Sequence, residues 1–288
     1  MVPKPPLGII AGGGDIPGML VEECRAKGRD VFVLALKGHA DADRFPEPPD
    51  AWIRLGQAGH GLTLLHRAGV RDLIVIGAVR RPAFRDIRPD FRTTMFLAKI
   101  GKRFFGDDSL LSAVTEELER IGFRILPPEN FMDDMLAAER LYGGTRPDRA
   151  VLNDIQLGID AARNIGRLDI GQAVVVLRGR VLGVEDEHGT DALIRRCAAG
   201  PDGETGGGEP GGVLVKVCKP GQERRIDLPT IGVATVETAA ACRLCGVAVE
   251  AGGALIVDAE AVACAADRLG IFVLGVAVRL NDEIRSAG

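Results

Sequence analysis

Aromatic side chains are scarce in this chain of 288 residues: they make up 4%, with one Trp and one Tyr. That is too few to build a platform on which nucleic-acid bases stack. A basic surplus is also lacking, since 36 Lys and Arg face 40 Asp and Glu for a net charge of −4. A duplex nucleic-acid binder needs a basic face toward the phosphates, so this class is set aside. No stretch approaches the roughly 20 apolar residues that span a bilayer. No leader-like apolar core follows the opening Met1-Val2-Pro3-Lys4-Pro5-Pro6. These absences lead to an expectation of a cytoplasmic protein. Nothing repeats at a fixed period.

Six cysteines lie scattered through apolar segments, the pattern of reduced and mostly buried thiols. Cys242 and Cys245 form the only close pair, and a structural zinc site would need a second one. The pair follows Thr238-Ala239-Ala240-Ala241, late in a predicted helix, whereas a redox pair would open one. Hydrophobic residues at 46% and charged residues at 26% give the balance of a folded protein with ample core.

What is present is an alternation of strand and helix signals. Leu7–Ala11, Val31–Leu36 and Leu73–Ile76 are apolar runs of buried-strand length. Helical spacing joins Met19, Leu20 and Cys24, and recurs in 62–68 and 108–122. Strands separated by helices imply a parallel sheet covered on both faces. The reading is α/β: a Rossmann-like N-terminal parallel-sheet domain over 1–132, a linker at 133–148 and a C-terminal mixed α/β domain over 149–288. Residues 133–141 are expected to be helical, with Gly143-Gly144-Thr145-Arg146-Pro147 breaking the helix. In the second half, a helix is expected at 154–164 and strands at 172–177 and 181–184, joined at hairpin spacing. A strand follows at 213–217, helices at 235–241 and 259–269, and a closing strand at 272–276. The glycine-rich 200–212 reads as a flexible loop.

Three constellations could carry chemistry. Gly12-Gly13-Gly14-Asp15 follows the first strand and precedes Pro17, which suits a first helical turn. Such a turn lets backbone N–H groups approach a phosphate, and a structural turn is the alternative. It matches neither the dinucleotide fingerprint nor a P-loop, and Lys37 stands where an acid would hold a ribose. Arg80 and Arg81 stand at the end of a parallel strand, where ligands of open α/β sheets bind; a solvated basic turn explains them as well. The third group is densest: Asp169 and Gln172 before a strand, then the acids of 185–187, Thr190 and Asp191, then Lys216, Lys219, Gln222, Arg225 and Asp227. Acids, lysines and a Thr at a helix start suit a metal-assisted phosphate site. Helix caps and surface ion pairs account for the same residues by spacing alone.

Taken with their neighbours, these strings resemble one family. They are 11–17 (AGGGDIP), 76–82 (IGAVRRP), 106–108 (GDD), 169–176 (DIGQAVVV), 189–191 (GTD), 219–222 (KPGQ) and 225–232 (RIDLPTIG). The chain is similar over 7–278 to the LpxI family, the UDP-2,3-diacylglucosamine pyrophosphatases of lipid A biosynthesis. The resemblance implies two domains with the ligand held between them. It also implies Mg²⁺-dependent hydrolysis to UMP and 2,3-diacylglucosamine 1-phosphate, with water directed onto the β-phosphorus. Asp227 matches the family's essential acid, and Thr190 and Asp191 match its Gly-Thr-Asp turn. On this reading Asp227 and Asp191 are the catalytic and metal-holding carboxylates. Gly12, Gly13, Gly14, Asp15, Arg80, Arg81, Gln172, Thr190, Lys219, Gln222 and Arg225 are the substrate-binding candidates. A lipid-linked nucleotide sugar implies passing contact with the inner face of the inner membrane; a homo-oligomer stays open. A nucleotide-sugar-binding regulator without turnover is the alternative. The family usually carries Glu immediately before its Gly-Thr-Asp, where this chain has His188.

Overall fold

The computed structural model describes residues 4–79, 89–100, 107–198 and 211–278. They form two units. The first is Met1–Asp133 with Glu223–Asp227, and the second is Asp134–Gln222 with Leu228–Gly288. Arg80, Arg81 and most of the glycine-rich 200–212 lie outside the described residues.

In the first unit the elements run β1 (Leu7–Ala11), α1 (Ile16–Ala26), β2 (Val31–Leu36), β3 (Ala51–Ile53), α2 (Ala58–Arg67), β4 (Asp72–Ile76), α3 (Phe91–Ile100), α4 (Asp107–Arg120) and β5 (Arg124–Ile125). The sheet is parallel with order β3-β2-β1-β4-β5. β1 is central, with Leu7 beside both Val31 and Asp72. Its near-continuous apolar sequence follows from burial on both faces. On one face Leu34, Ile53, Leu73 and Ile125 pack with Leu65 of α2 and Leu118 of α4. This is the Rossmann-like strand order expected from the alternating pattern.

In the second unit the elements run β6 (Leu141–Tyr142), α5 (Arg149–Arg167), β7 (Ala173–Leu177), β8 (Arg180–Val184), α6 (Thr190–Ala198), β9 (Val213–Lys216), β10 (Thr230–Ile231), α7 (Val233–Ala241), β11 (Gly246–Glu250), β12 (Leu255–Ile256), α8 (Ala259–Leu269) and β13 (Phe272–Val276). The mixed sheet has order β6-β13-β11-β9-β7-β8. β9, β11 and β13 are parallel; β7 runs against β9 and β8, and β6 against β13. Alternate residues point to opposite faces. Val174, Val176 and Val215 meet Ile155, Ile159 and Ala162 of α5. Ala173, Val175 and Leu214 share the other core with Leu193, Val236 and Val262 of α6, α7 and α8.

The long helix α5 covers its face at close range. A Cβ on Gly158 would lie 2.5 Å from Cγ2 and 2.8 Å from Cβ of Val215. The Val215 Cβ cannot move without its strand. Gly158→Leu is therefore expected to destabilise the fold by about 1–3 kcal/mol, the usual cost of overpacking. Urea unfolding followed by circular dichroism checks this; an unchanged midpoint would show that α5 can lift from the sheet. Asp154 of the same helix accepts hydrogen bonds from the backbone N–H of Arg178 (2.7 Å) and Gly179 (2.6 Å). Both residues have positive φ, as a two-residue hairpin turn requires, which fixes the β7–β8 register.

One sequence expectation fails. Residues 133–141 are not an α-helix: Asp133–Met135 form a single 3₁₀ turn, and Leu136 bridges to Leu255. Ala137 N–H donates to Ala254 O, and Ala137 O accepts from Gly252 N–H. Pairing with a distant strand region outweighs the local helical preference. Gly143 and Gly144 are tied to α8, with Gly144 N–H donating to Asp267 Oδ1 at 2.6 Å.

Candidate active site

In the first unit the strand order reverses at β1 and β4, the position where open α/β sheets bind ligands. There the glycine loop is stitched to the end of β4. Gly13 N–H donates to Ala78 O (2.8 Å), Ala78 N–H returns to Gly13 O (2.9 Å), and Gly12 N–H donates to Ile76 O (2.8 Å). A Cβ on Gly12 would come within 2.6 Å of Gly77 O. Gly12 and Gly13 are therefore required by backbone packing, and their N–H groups are committed. Gly14 has φ +89° and open space around it. With Asp15 it leads into the first turn of α1, a helix start of the kind that suits an anion. Asp15 itself pairs with Arg44 at 2.7 Å.

Arg225 and Asp227 belong to the same unit. Glu223 takes Arg225 in a two-pronged pair, with Nε and Nη2 each at 2.8 Å, and Nη1 donates to Glu119. The guanidinium hydrogen bonds hold Glu223 below the usual carboxylate range, and the two acids push Arg225 higher still. To hold a phosphate, Arg225 must exchange one of these carboxylates. Asp227 is half-buried and its N–H donates to Glu223 O.

The second unit gathers a buried polar network at one sheet edge. β8, β9 and β11 all end there, and β7 begins there because it runs antiparallel. β9 reads Val213-Leu214-Val215-Lys216, and β11 ends in Glu250, so each apolar run closes on a charge. Lys216 is 7% exposed, and its ammonium donates to Thr190 Oγ1 (3.0 Å) and Thr230 O (3.1 Å). The Thr190 hydroxyl donates in turn to Glu185 Oε1, and Glu185 Oε2 accepts from Gln172 N–H at 2.9 Å. Glu185 is 6% exposed. A buried carboxylate and a buried ammonium are thus joined through one hydroxyl, which leaves Thr190 its backbone N–H at the start of α6 for a ligand.

Lys219 extends the network. Its ammonium pairs with Asp169 Oδ1 at 2.7 Å, and its N–H donates to Gln222 Oε1 at 2.9 Å. Lys219-Pro220-Gly221-Gln222 is a tight turn closed by Gln222 N–H to Lys219 O. Gly221 supplies the φ of +85° that the third residue of a type II turn needs. Gln222 Nε2 lies 3.4 Å from Gln172 Oε1. Glu250 accepts from Cys218 N–H at 2.9 Å.

The structure therefore brings together Gln172, Thr190, Lys219 and Gln222 among the sequence candidates. Asp191 is half-exposed on the outer side of α6 and faces Arg195 at 3.7 Å. His188 is 68% exposed and bonded to Asp186, whose carboxyl is held low chiefly by the His188 backbone N–H. The buried acid of this segment is Glu185, three residues upstream of His188. Sequence reasoning had Glu185 and Lys216 in its dense polar group but did not carry them into the assigned site residues, and it passed over Glu250. The signal was a charged residue closing a fully apolar strand at the edge where β-strands of α/β sheets present their ligands.

Of the thiols, Cys218 joins this network, its Sγ–H donating to Gln222 Oε1 at 3.2 Å. Cys24 and Cys245 are pushed up to about 11 by burial, and burial likewise raises Cys197 and Cys242. Among the described residues no group of three or more His, Cys, Asp or Glu could hold a metal. The donor set fits a hard cation only in the Mg²⁺ manner, with one or two carboxylates and with phosphate oxygens and water completing the shell.

Comparison with known proteins agrees with this architecture. Residues 6–135 match the model of the LpxI N-terminal domain, and residues 138–274 match that of the LpxI C-terminal domain. A Caulobacter vibrioides protein named UDP-2,3-diacylglucosamine pyrophosphatase LpxI is 44% identical over 274 residues. That alignment covers 94% of this chain and 97% of the relative.

Proposed function

Because the chain belongs to the LpxI family, we propose that it hydrolyses the pyrophosphate bond of UDP-2,3-diacylglucosamine to UMP and 2,3-diacylglucosamine 1-phosphate. Within the structure, the reading is carried by the buried Glu185–Thr190–Lys216 chain beside Lys219 at the sheet edge. Lys216, whose ammonium touches Thr190 at the start of α6, and Lys219, three residues on, supply two cations at this end of the sheet for an anhydride.

In this mechanism the oxygen of water forms a bond to the β-phosphorus and gives up a proton to solvent, the bridging P–O bond breaks, and UMP leaves with the electron pair. Lys216 and Lys219 hold non-bridging oxygens, and Glu185 fixes the Thr190 hydroxyl so that the first turn of α6 presents its N–H groups in one orientation. Gln172 and Gln222 hold the strand and turn that carry these groups. Asp227 would hold Mg²⁺ or orient the water, with Asp191 as the second carboxylate. Mg²⁺, when bound, offsets the pyrophosphate charge and stabilises the leaving phosphate. Such an offset is needed because the network itself sets three carboxylates, Asp169, Glu185 and Glu250, against two lysines. Gly14, Asp15 and the start of α1 are the nucleotide-side candidates. The lipid-linked substrate places the protein in passing contact with a membrane surface.

The test is release of UMP from purified UDP-2,3-diacylglucosamine, with Mg²⁺ or with excess chelator. Release that requires Mg²⁺ is expected. Binding of the substrate without release under either condition would replace the hydrolase with a nucleotide-sugar-binding regulator.

A further inference from the structure

We infer that Glu119 and Arg225 are positioning residues for Asp227: their ion pair, from α4 to the turn at 223–227, sets the orientation in which that carboxylate is presented. The inference rests on the role given to Asp227 in the proposed function and names the residues through which the fold places it. Residues 223–227 form one helical turn, with Ile226 N–H (3.1 Å) and Asp227 N–H (3.0 Å) both donating to Glu223 O. The turn belongs to the first unit, yet the chain on either side, Gln222 and Leu228, belongs to the second. No strand or long helix carries it, so its orientation depends on what its side chains grip.

Two neighbouring side chains grip the first unit. Ile226 packs on the apolar core that includes Leu118 of α4. Arg225 reaches Glu119, the next residue of α4, through Nη1, while its Nε and Nη2 close on Glu223 at 2.8 Å. An apolar contact is non-directional, so Ile226 resists withdrawal of the turn but not its rotation. A guanidinium is planar and its N–H bonds point in fixed directions. The fork to Glu223 makes Arg225 rigid within the turn, and Nη1 then fixes the turn against α4. Asp227 follows two residues later.

The placing of Glu119 supports this role. It stands in the last turn of α4, where the helix dipole disfavours an acid. Its pair with Arg225 is half-exposed, and such pairs contribute little to global stability. Neither the helix nor the fold as a whole accounts for the acid, whereas the orientation of the turn does. Arg225 is also poorly set to hold a phosphate, because two carboxylates already occupy it. Misplacing a reacting group by about 1 Å can cost on the order of 10²-fold in rate, so a half-exposed pair can matter more to turnover than to folding.

The experiment measures kcat and KM for UMP release by the full chain, together with hydrogen exchange of the 223–227 segment. Glu119→Ala is expected to lower kcat about 30-fold, with KM unchanged within about twofold. Its thermal midpoint should stay within about 3 °C of wild type. Amide exchange at Ile226 and Asp227 should quicken about tenfold, with the strands of the first unit unaffected. Glu119→Gln keeps the shape and a neutral hydrogen bond, and should return kcat to within about fivefold of wild type. In an Arg225→Met background, Glu119→Ala should lower kcat no further, because the two act as one unit. Wild-type kcat in Glu119→Ala, or losses that multiply in the double variant, would overturn the inference. So would a lower KM at unchanged kcat, which would show that Arg225, once released, binds the substrate. A wild type that releases no UMP removes the hydrolase reading and this inference together; wild-type turnover that is indifferent to Glu119 removes this inference alone.

Discussion

Asp227→Ala is expected to lower the turnover of UDP-2,3-diacylglucosamine by about 10³-fold or more while the protein stays folded. The size follows from the role. A carboxylate that holds Mg²⁺ or aims the attacking water acts on charge and geometry that develop only in the transition state, so its loss falls on kcat. The retained fold follows from the surroundings. Asp227 is half-buried, and the backbone bond from its N–H to Glu223 O survives truncation of the side chain. The measurement is kcat at saturating substrate together with the thermal midpoint. Near wild-type turnover would remove Asp227 from the chemistry. Asp191→Ala belongs in the same experiment: Asp191 is half-exposed and faces Arg195 at 3.7 Å in the first turn of α6, so its loss is expected to cost at most about 1 kcal/mol of stability, and a fall in kcat beyond that is chemical.

Lys216→Met has the second-largest expected effect, and it acts on two quantities at once. The ammonium is buried between Thr190 Oγ1 and Thr230 O, and through Thr190 it faces the Glu185 carboxylate. Removing it strands a buried negative charge, which costs about 3–5 kcal/mol of stability. It also removes a cation from the place where non-bridging oxygens are proposed to sit, for a fall of about 10²–10³ in kcat. Glu185→Gln combined with Lys216→Met separates the two. Neutralising both partners should recover part of the stability, because no uncompensated charge remains, and none of the turnover. Recovery of turnover in the double variant would show that the lysine only stabilises the fold.

The sheets were legible because their strands are short apolar runs bounded by glycine or charge; β2, α8 and β13 fall at the residues that periodicity indicated. β11 was not assigned: Gly246 opens it and Gly252-Gly253 follows it, which hides a five-residue strand between two helix signals. The region around Leu136 was misread for the opposite reason: its helical preference is real, but its backbone pairs with Ala254 and Leu255, more than a hundred residues away. The candidate site divides in the same way. Thr190, Lys219 and Gln222 stand in dense polar motifs and were visible. Glu185 and Lys216 were present as letters, but nothing local says that one hydroxyl joins them. His188 drew the eye because it stands before Gly189, yet it turns outward to Asp186 while the acid three residues earlier turns in.

The chain passes from one unit to the other three times, because Glu223–Asp227 returns to the first unit before the last strands of the second are made. A fragment stopping at Asp133 would carry Glu119 without Arg225, and a fragment starting at Asp134 would carry five residues whose packing partners were left behind. The two halves are thus not interchangeable cassettes. A chimera that took one half from a relative would inherit a return loop shaped for different neighbours, and split halves would have to be co-produced to regain native surfaces. Inheritance of the carboxylate at Asp227 is tied in this way to both halves together.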